Sequence, residues 1–263
     1  MDLSQFDVKF RLFGIPVRIM PSFWLLALLL SPFLHPTQGN APWIFGALGW
    51  IVAVGLSFLA HEFGHAFAAR RFFGANPSIE LGVGRSQSGS GVFGGLTEWR
   101  PAYGMTLDPQ KRALTSAAGP FAALLCAFAL VAIAFLVFRA TIRVQFEFGF
   151  LPIPLPLEWI AIANSKSAFG LFFGYFIFGF IWSSVFWSFF NLLPIYPMDG
   201  GQILYNVLVG RNGSSGRRTT YLVSIVCSTV IAVYFLMDQM FFNAFMFAYF
   251  AVFNYRIMKA SGF

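Results

Sequence analysis

The sequence predicts an all-α polytopic membrane protein with six transmembrane helices, one of them broken, and a small β-hairpin at the membrane surface. Composition is the first reason: 58% of the 263 residues are hydrophobic and 10% are charged, whereas soluble domains contain about 25% charged residues. The second reason is a series of apolar segments, because a span needs about 20 mostly apolar residues. The third is the unequal distribution of basic residues among the loops.

Six apolar segments are predicted as spans. They lie at about Pro21–Leu34, Trp43–Ala69, Ala113–Phe138, Ala168–Val209, Thr220–Met237 and Met240–Ile257. The fourth segment contains Pro194 and Pro197, which interrupt a helix, so we expect this span to unwind and then resume. The loops are too short to form a core of their own. Residues 1–263 are therefore predicted to form a single membrane-embedded domain.

The basic residues predict the orientation of the spans. If the chain crosses six times, Arg139, Arg143 and Lys166 are the only three of the 17 lysines and arginines on one side. Basic residues concentrate on the cytoplasmic side of membranes, so we expect a multi-pass integral membrane protein with both termini in the cytoplasm. A compact chain of this kind suits a prokaryotic plasma membrane. The net charge of +7 then reflects topology, and we expect the lipid bilayer, and no nucleic acid, as a partner.

Two loops contain strand-like sequence. Ser78–Glu98 has short β-like runs around a Gly/Ser turn, which predicts a hairpin at the cytoplasmic face. Thr141–Phe148 alternates polar and apolar residues before a Leu-Pro-Ile-Pro-Leu-Pro run, a pattern typical of an interfacial strand and cap on the outer side. A plain connecting loop remains the alternative for both segments.

The segment His61-Glu62-Phe63-Gly64-His65 lies in the cytoplasmic half of the second predicted span. Positions i and i+4 share a helix face, so the imidazoles of His61 and His65 can bind one zinc ion. Glu62 can then take the proton of a water molecule that attacks a peptide carbonyl. A chance match is the alternative. Against it, an ionisable group at membrane depth costs at least about 2.5–3.5 kcal/mol, and two of the three histidines in the chain belong to this segment.

A catalytic zinc usually has three protein ligands and one open position. The remaining histidine, His35, falls in the outer loop after the first span, on the wrong side of the membrane. Asp199 lies inside the broken helix at the predicted depth of the two histidines and would complete a His2Asp site. A role as N-cap of the resumed helix Gly200–Val209 is the alternative for Asp199, and the two roles are compatible.

The motifs HEFGH at 61–65 and NLLPIYPMDGG at 191–201 together resemble the site-2 protease family of intramembrane zinc metalloproteases. Also similar are GIPVR at 14–18, with Pro21-Ser22 before the first span, and AGP at 118–120. The resemblance implies a zinc metalloendopeptidase with one Zn²⁺ per chain. It implies the ligands His61, His65 and Asp199, and Glu62 as general acid/base.

The resemblance also implies that Asn191 contacts the substrate or the developing oxyanion. Satisfying backbone groups freed by the helix break is the alternative for this residue. The sequence departs from the family pattern at Met198, where Leu is common, and near Ala123, where an Asn is often found. The second departure puts in doubt any polar substrate contact from the third span.

The predicted function is hydrolysis of peptide bonds within or near the transmembrane segments of membrane-protein substrates, as in regulated intramembrane proteolysis. A divalent-metal transporter using the same His/His/Asp site is the alternative, but transport predicts further polar groups along a path across the bilayer and does not need Glu62. A scaffold without activity is a third reading, which the intact motif at 61–65 disfavours. Because a cleavable peptide must be locally extended, the Ile79–Leu96 hairpin could offer it a strand edge.

Overall fold

The structure is a computed structural model that describes residues 3–29, 43–85, 91–147, 150–162 and 167–262. The described part is mostly helical. Its α-helices are α1 Pro21–Leu29, α2 Trp43–Phe73, α3 Pro109–Leu136, α4 Leu157–Ala161, α5 Ala168–Asn191, α6 Asp199–Met237 and α7 Phe241–Ala260. Its strands are β1 Val8–Leu12, β2 Ile15–Ile19, β3 Ser78–Arg85, β4 Gly91–Glu98, β5 Ile142–Glu147 and β6 Leu151–Pro156.

Four described helices are long and apolar enough to cross a membrane. They are Ile44–Phe73, Pro109–Leu136, Ala168–Asn191 and Asp199–Met237. The predicted count of six spans is not confirmed. The first predicted span is described only as the nine-residue helix α1, and the rest of that span, like His35, lies outside the described residues. Helix α7 is not among the four.

Helix α6 reverses its direction at Gly213, whose φ of 57° and ψ of −125° are not helical. The rings of Tyr205 and Tyr221, on opposite sides of this glycine, have centroids 6.3 Å apart, although the same stretch of straight helix would separate them by about 24 Å. The two arms pack closely because Gly216 has no side chain: a Cβ there would overlap the backbone of Leu208. The element Asp199–Met237 is therefore two antiparallel helical arms.

Strands β1 to β4 form one sheet in the order β1-β2-β3-β4. The predicted hairpin is confirmed as the antiparallel pair β3 and β4, and β2 adds to β3 in parallel. The expectation of an all-α fold with one hairpin was wrong at the N-terminus, where residues 8–19 supply two more strands. Arg70 at the end of α2 donates a 2.8 Å hydrogen bond to the carbonyl of Phe13, which ties this sheet to the helix that carries the HEFGH motif.

A buried ion network reinforces the sheet. The guanidinium of Arg18 on β2 donates to Asp7 at 2.6 Å and to Glu80 on β3 at 2.9 Å. Burial disfavours the charged form of Arg18, but the hydrogen bonds to these two carboxylates and their charges outweigh it and raise the pKa of Arg18. The bond to Glu80, the register partner of Arg18, supports the parallel pairing of β2 with β3, and the bond to Asp7 ties β2 to the residue before β1.

Strands β5 and β6 form a second, two-stranded antiparallel sheet. The strand predicted in the outer loop is confirmed as β5, and the proline-rich run is its partner. Leu151, Ile153 and Leu155 of β6 are buried, and their N–H groups are the donors available to β5 because the alternate residues are prolines. The prolines thus face the free edge of β6, where a strand tolerates them.

Helix α2 is the centre of the helical part and packs against both α3 and α5. Its contact with α3 is close at Gly64, where a Cβ would overlap the carbonyl oxygen of Ala118. A serine pair joins α2 to α5, since Ser184 donates a 2.9 Å hydrogen bond to Ser57. These contacts place the motif helix between two neighbours at fixed distance.

We expect Gly64→Ala to lower the free energy of unfolding by about 1–3 kcal/mol, because the backbone of α3 would have to move. Gly55→Ala is the matched control on the same helix, since its Cβ would make an ordinary contact with the ring of Phe23 and alanine favours a helix over glycine by up to about 1 kcal/mol. Thermal unfolding in detergent compares the two variants. An equal loss of stability in both would contradict the close packing of α2 on α3.

Candidate metal centre and active site

Helix α2 presents His61 and His65 one turn apart on the same face, with their Nε2 atoms 3.1 Å from each other. The first turn of α6 supplies the carboxylate of Asp199. Its Oδ2 lies 3.0 Å from His61 Nε2 and its Oδ1 lies 3.4 Å from His65 Nε2. The structure therefore brings the three predicted ligands together, with their ligand atoms within 4.8 Å of one another.

The chemistry of this group fits a zinc ion. Two tetrahedral Zn–N bonds of about 2.0–2.1 Å place their nitrogens about 3.3 Å apart, close to the observed Nε2–Nε2 distance. His65 Nδ1 lies 2.8 Å from the carbonyl oxygen of Thr115; since a carbonyl can only accept, Nδ1 carries the proton and Nε2 keeps its lone pair for a metal. Two imidazole nitrogens and a carboxylate are typical zinc donors.

Helix α3 holds the His65 ring in place from one side. The Thr115 carbonyl accepts from the ring, and one turn later Gly119 faces it, because a Cβ at Gly119 would overlap the imidazole. Gly119 is part of the AGP motif, and the structure thus gives that motif a steric role next to the metal-binding group.

Glu62 is 5% exposed and is held by strand β4. The hydroxyl of Thr97 lies 2.7 Å from Glu62 Oε2 and 3.0 Å from the Glu62 carbonyl oxygen. Gly95 faces the other carboxylate oxygen so closely that a Cβ would overlap it. Sequence reasoning placed the hairpin next to the motif helix but did not identify Thr97 or Gly95, because these contacts bridge positions far apart in the chain.

The helix break brings Asp199 to the histidines. Helix α5 ends at Asn191 and α6 begins at Asp199. The N-cap residue of α6 is Met198, with no side-chain hydrogen bond, so the alternative of Asp199 as N-cap was wrong. The next two residues, Gly200 and Gly201, pack directly against the backbone of the segment between α5 and α6. A Cβ at either position would overlap that backbone, so both positions require glycine.

The backbone groups freed by the break find partners on the last two helical segments. The N–H of Tyr196 donates to the Ser224 hydroxyl at 3.0 Å, and the side-chain amide of Asn254 on α7 donates to the Tyr196 carbonyl at 2.6 Å. Both partners are fully buried. Sequence reasoning missed Ser224 and Asn254, although a polar residue in an apolar segment is the kind of signal that singled out Asp199.

Asn191 lies at the end of α5 and lines the same cavity as the metal-binding group. Its side-chain amide donates a 3.0 Å hydrogen bond to the Trp187 carbonyl. This acceptor lies one turn back inside α5, outside the break segment, so the bond does not test the alternative in which Asn191 satisfies backbone groups freed by the break. A contact with substrate stays a prediction for this residue.

One cavity of about 560 Å³ joins these groups. His61, Glu62, His65 and Asp199 lie on its wall together with Gly95 and Thr97 of β4. The remaining wall combines mainly apolar side chains from α5 and α7 with polar side chains from α3 and α6. Two imidazoles and a carboxylate around one point, with a second carboxylate beside them, are the groups with which metallopeptidases hold zinc and activate water.

Comparison with known proteins agrees with this class. The chain is 29% identical over 209 residues to a protein named as a zinc metalloprotease, Rip3, from two strains of Mycobacterium tuberculosis, Erdman and H37Rv. The match covers 76% of this chain and 42% of the relatives, so the chain spans less than half of their length. The fold is similar to a solved site-2 protease from Methanocaldococcus jannaschii, with a TM-score of 0.53, 17% identity and coverage of 95% of this chain and 94% of that chain.

The sequence profile of Peptidase family M50 matches residues 49–236. This match covers well over half of the chain, and the chain therefore belongs to Peptidase family M50. The resemblance to site-2 proteases found in the sequence is confirmed. The matched range contains the HEFGH motif, strand β4 and Asp199, whereas β1, β2 and α7 lie outside it.

We expect Asp199→Asn to lower the zinc content of the purified chain to a small fraction of that of the native chain, because the amide removes the negative charge that faces both imidazoles. Elemental analysis of dialysed protein measures the metal. Asp238→Asn is the matched control, since Asp238 follows α6 at its far end and should leave the zinc content unchanged. Full zinc occupancy in Asp199→Asn would contradict the assignment of Asp199 as a ligand.

Proposed function

We propose that the chain is an intramembrane zinc metalloprotease that hydrolyses peptide bonds within or near the transmembrane segments of membrane proteins. The observation that carries this proposal is the shared position of Glu62 and the His61/His65/Asp199 group on the wall of one cavity. A metal site alone fits several functions, but a hydrogen-bonded carboxylate next to it supplies the proton transfers that peptide hydrolysis requires.

In this mechanism His61, His65 and Asp199 would hold one zinc ion, which would act as a Lewis acid and lower the pKa of water. Glu62 takes the proton of the attacking water and delivers it to the departing amine. The Thr97 hydroxyl donates to one oxygen of the Glu62 carboxylate and leaves the other to carry the proton. The hydrogen bond fixes the plane of the carboxylate, so the same oxygen serves both steps.

The substrate must reach this site in an extended form, and the sheet offers it a strand edge. The N–H of Met20 donates to the Leu81 carbonyl, and Val83 exchanges hydrogen bonds with the Ser22 hydroxyl. Leu81 and Val83 therefore direct their backbone groups away from β4. Because backbone groups alternate sides along a strand, the residues on either side of Leu81 direct theirs toward β4.

The register of the hairpin then identifies the groups on the free edge of β4. Gly94 and Leu96 are the register partners of the β3 residues that face β4, so they carry the ladder hydrogen bonds. Gly95 and Thr97 lie at the alternate positions, and their N–H and C=O groups point to the free edge. An extended peptide paired there by strand addition would lie directly beside Glu62.

The proposed orientation places both termini in the cytoplasm, with six crossings of a prokaryotic plasma membrane. The distribution of basic residues supports it, and the reversal of α6 at Gly213 lets the Asp199 arm and the Thr220–Met237 arm run in opposite directions. The divalent-metal transporter that would use the same His/His/Asp site receives no support from the comparisons, since the family is one of peptidases.

We expect Glu62→Gln to retain zinc and to lose cleavage of a single-span model substrate reconstituted in liposomes, by on the order of 10²–10⁴-fold. The ligands are untouched, but the amide cannot accept the proton of water. Glu147→Gln on β5 is the matched control and should cleave like the native chain. Equal rates in Glu62→Gln and the native chain would overturn the role of Glu62.

We expect Phe93→Pro to lower cleavage several-fold relative to Phe93→Ala, while both variants keep their zinc. Residue 93 shares the free edge with Gly95 by the alternation above, so proline there removes an edge donor and no ladder bond. Val92→Pro is the contrasting variant, because residue 92 pairs with β3 and proline there should destabilise the hairpin itself. Identical cleavage by Phe93→Pro and Phe93→Ala would rule out strand addition at this edge.

A further inference from the structure

A second cavity of about 950 Å³ adjoins the catalytic cavity. Thr97, Trp99, Arg112 and Gln202 line both cavities, so the two spaces form one cleft with the metal-binding group toward one end. Strand β4 and the residues that follow it run from the first cavity into the second. Gly95 lines the first cavity, Thr97 lines both and Arg100 lines the second.

The two ends of this cleft differ in polarity. On the side of α5 and α7 the wall of the first cavity is mainly apolar, with Trp187, Phe190, Met246 and Phe250 and the polar exception Asn191. In the second cavity the wall includes polar and charged side chains: Asn76, Ser78, Glu98, Arg100 and Arg112. A peptide along the free edge of β4 would therefore have an apolar environment on one side of Glu62 and a polar one on the other.

Arg112 occupies the junction of the two ends. On α3 it precedes Thr115 by three residues and Ser116 by four, so all three lie on the same helix face. This is the face that meets the metal-binding group, and Arg112 lies about one turn closer to the start of the helix. The side chain is half-buried, and Arg112 takes part in none of the ion pairs of the described residues. Arg18, by contrast, is held by two carboxylates.

We infer that Arg112 is a specificity residue that binds a carboxylate side chain of the substrate on the polar side of the scissile bond. The inference rests on the proposed function, since it assigns the substrate class of the same site. A guanidinium in a partly buried cleft has a planar set of donors that matches a carboxylate. The preferred substrate is thus a membrane-boundary segment that is apolar on one side of the cleaved bond and carries an acidic residue on the other side, where the peptide passes Thr97 and enters the polar cavity.

The test uses the full chain in liposomes and a single-span substrate whose cut is first mapped by mass spectrometry. Glu, Gln or Lys is then placed at each position on either side of the cut. At one position or more, kcat/KM for Glu should exceed that for Lys by on the order of tenfold, the ratio that about 1.4 kcal/mol gives. Arg112→Glu should reverse this preference, because the charge that selects the substrate is reversed.

Lys111→Glu is the matched control. It reverses the charge at the neighbouring position, but Lys111 is exposed and is not among the residues that line either cavity. The Glu-to-Lys ratio should therefore stay at the native value in Lys111→Glu. If Arg112 serves only as a basic anchor at the membrane surface, Arg112→Glu lowers cleavage of all substrates equally and the ratio does not change, which overturns the inference.

Two further measurements separate the possible outcomes: peptide binding to an inactive variant, and cleavage by the native chain. Binding of the Glu and Lys peptides to Glu62→Gln, measured by fluorescence anisotropy in detergent, tests the preference without cleavage and with Arg112 intact. Equal affinities and equal native rates at every position overturn the inference even if Arg112→Glu does not fold. Absence of cleavage of any substrate by the zinc-loaded native chain is a different outcome, because it overturns the proposed function itself.

Discussion

The approach of Asp199 to the two imidazoles of α2 is the constraint on which the rest of the site depends. An acidic side chain inside apolar helices is unfavourable unless it has a partner of opposite charge or a metal. A continuous helix would carry Asp199 past the depth of His61 and His65 or turn it to another face. Instead, α5 ends at Asn191 and α6 begins at Asp199. The segments packed around this interruption stabilise it.

The interruption leaves backbone groups without helical partners among apolar side chains, and the last third of the chain supplies partners for those of Tyr196. Ser224 accepts a hydrogen bond from the backbone N–H of Tyr196, and Asn254 donates one to its backbone carbonyl. The turn at Gly213 brings Ser224 back beside the break. The second arm of α6 and helix α7 therefore act on the site through Tyr196, although neither contributes a metal ligand. The family match ends at residue 236, before Asn254, so this support is partly built from sequence that the family pattern does not include.

Much of the site could be predicted because ionisable groups in apolar sequence are conspicuous. The spacing of His61 and His65 and the isolation of Asp199 follow from local sequence, and so does the β3–β4 hairpin. Thr97 and Asn254 could not be predicted in the same way, since each acts through a contact made only after distant segments pack. The strands at residues 8–19 and the reversal inside α6 were missed for a related reason: short strands and tight helical turns depend on neighbours that local patterns do not reveal.

The described strands differ in the residues that they carry along their unpaired edges. Strand β1 carries Lys9 and Arg11, β5 carries Arg143 and Glu147, and β6 presents prolines; charges and prolines on an edge discourage other chains from pairing with it. Strand β4 instead has glycines at positions 91, 94 and 95. An edge left receptive for one kind of peptide is receptive in principle to any extended chain, including another copy of itself. Sheltering this edge among the helices around the metal-binding group thus also protects the protein from self-association.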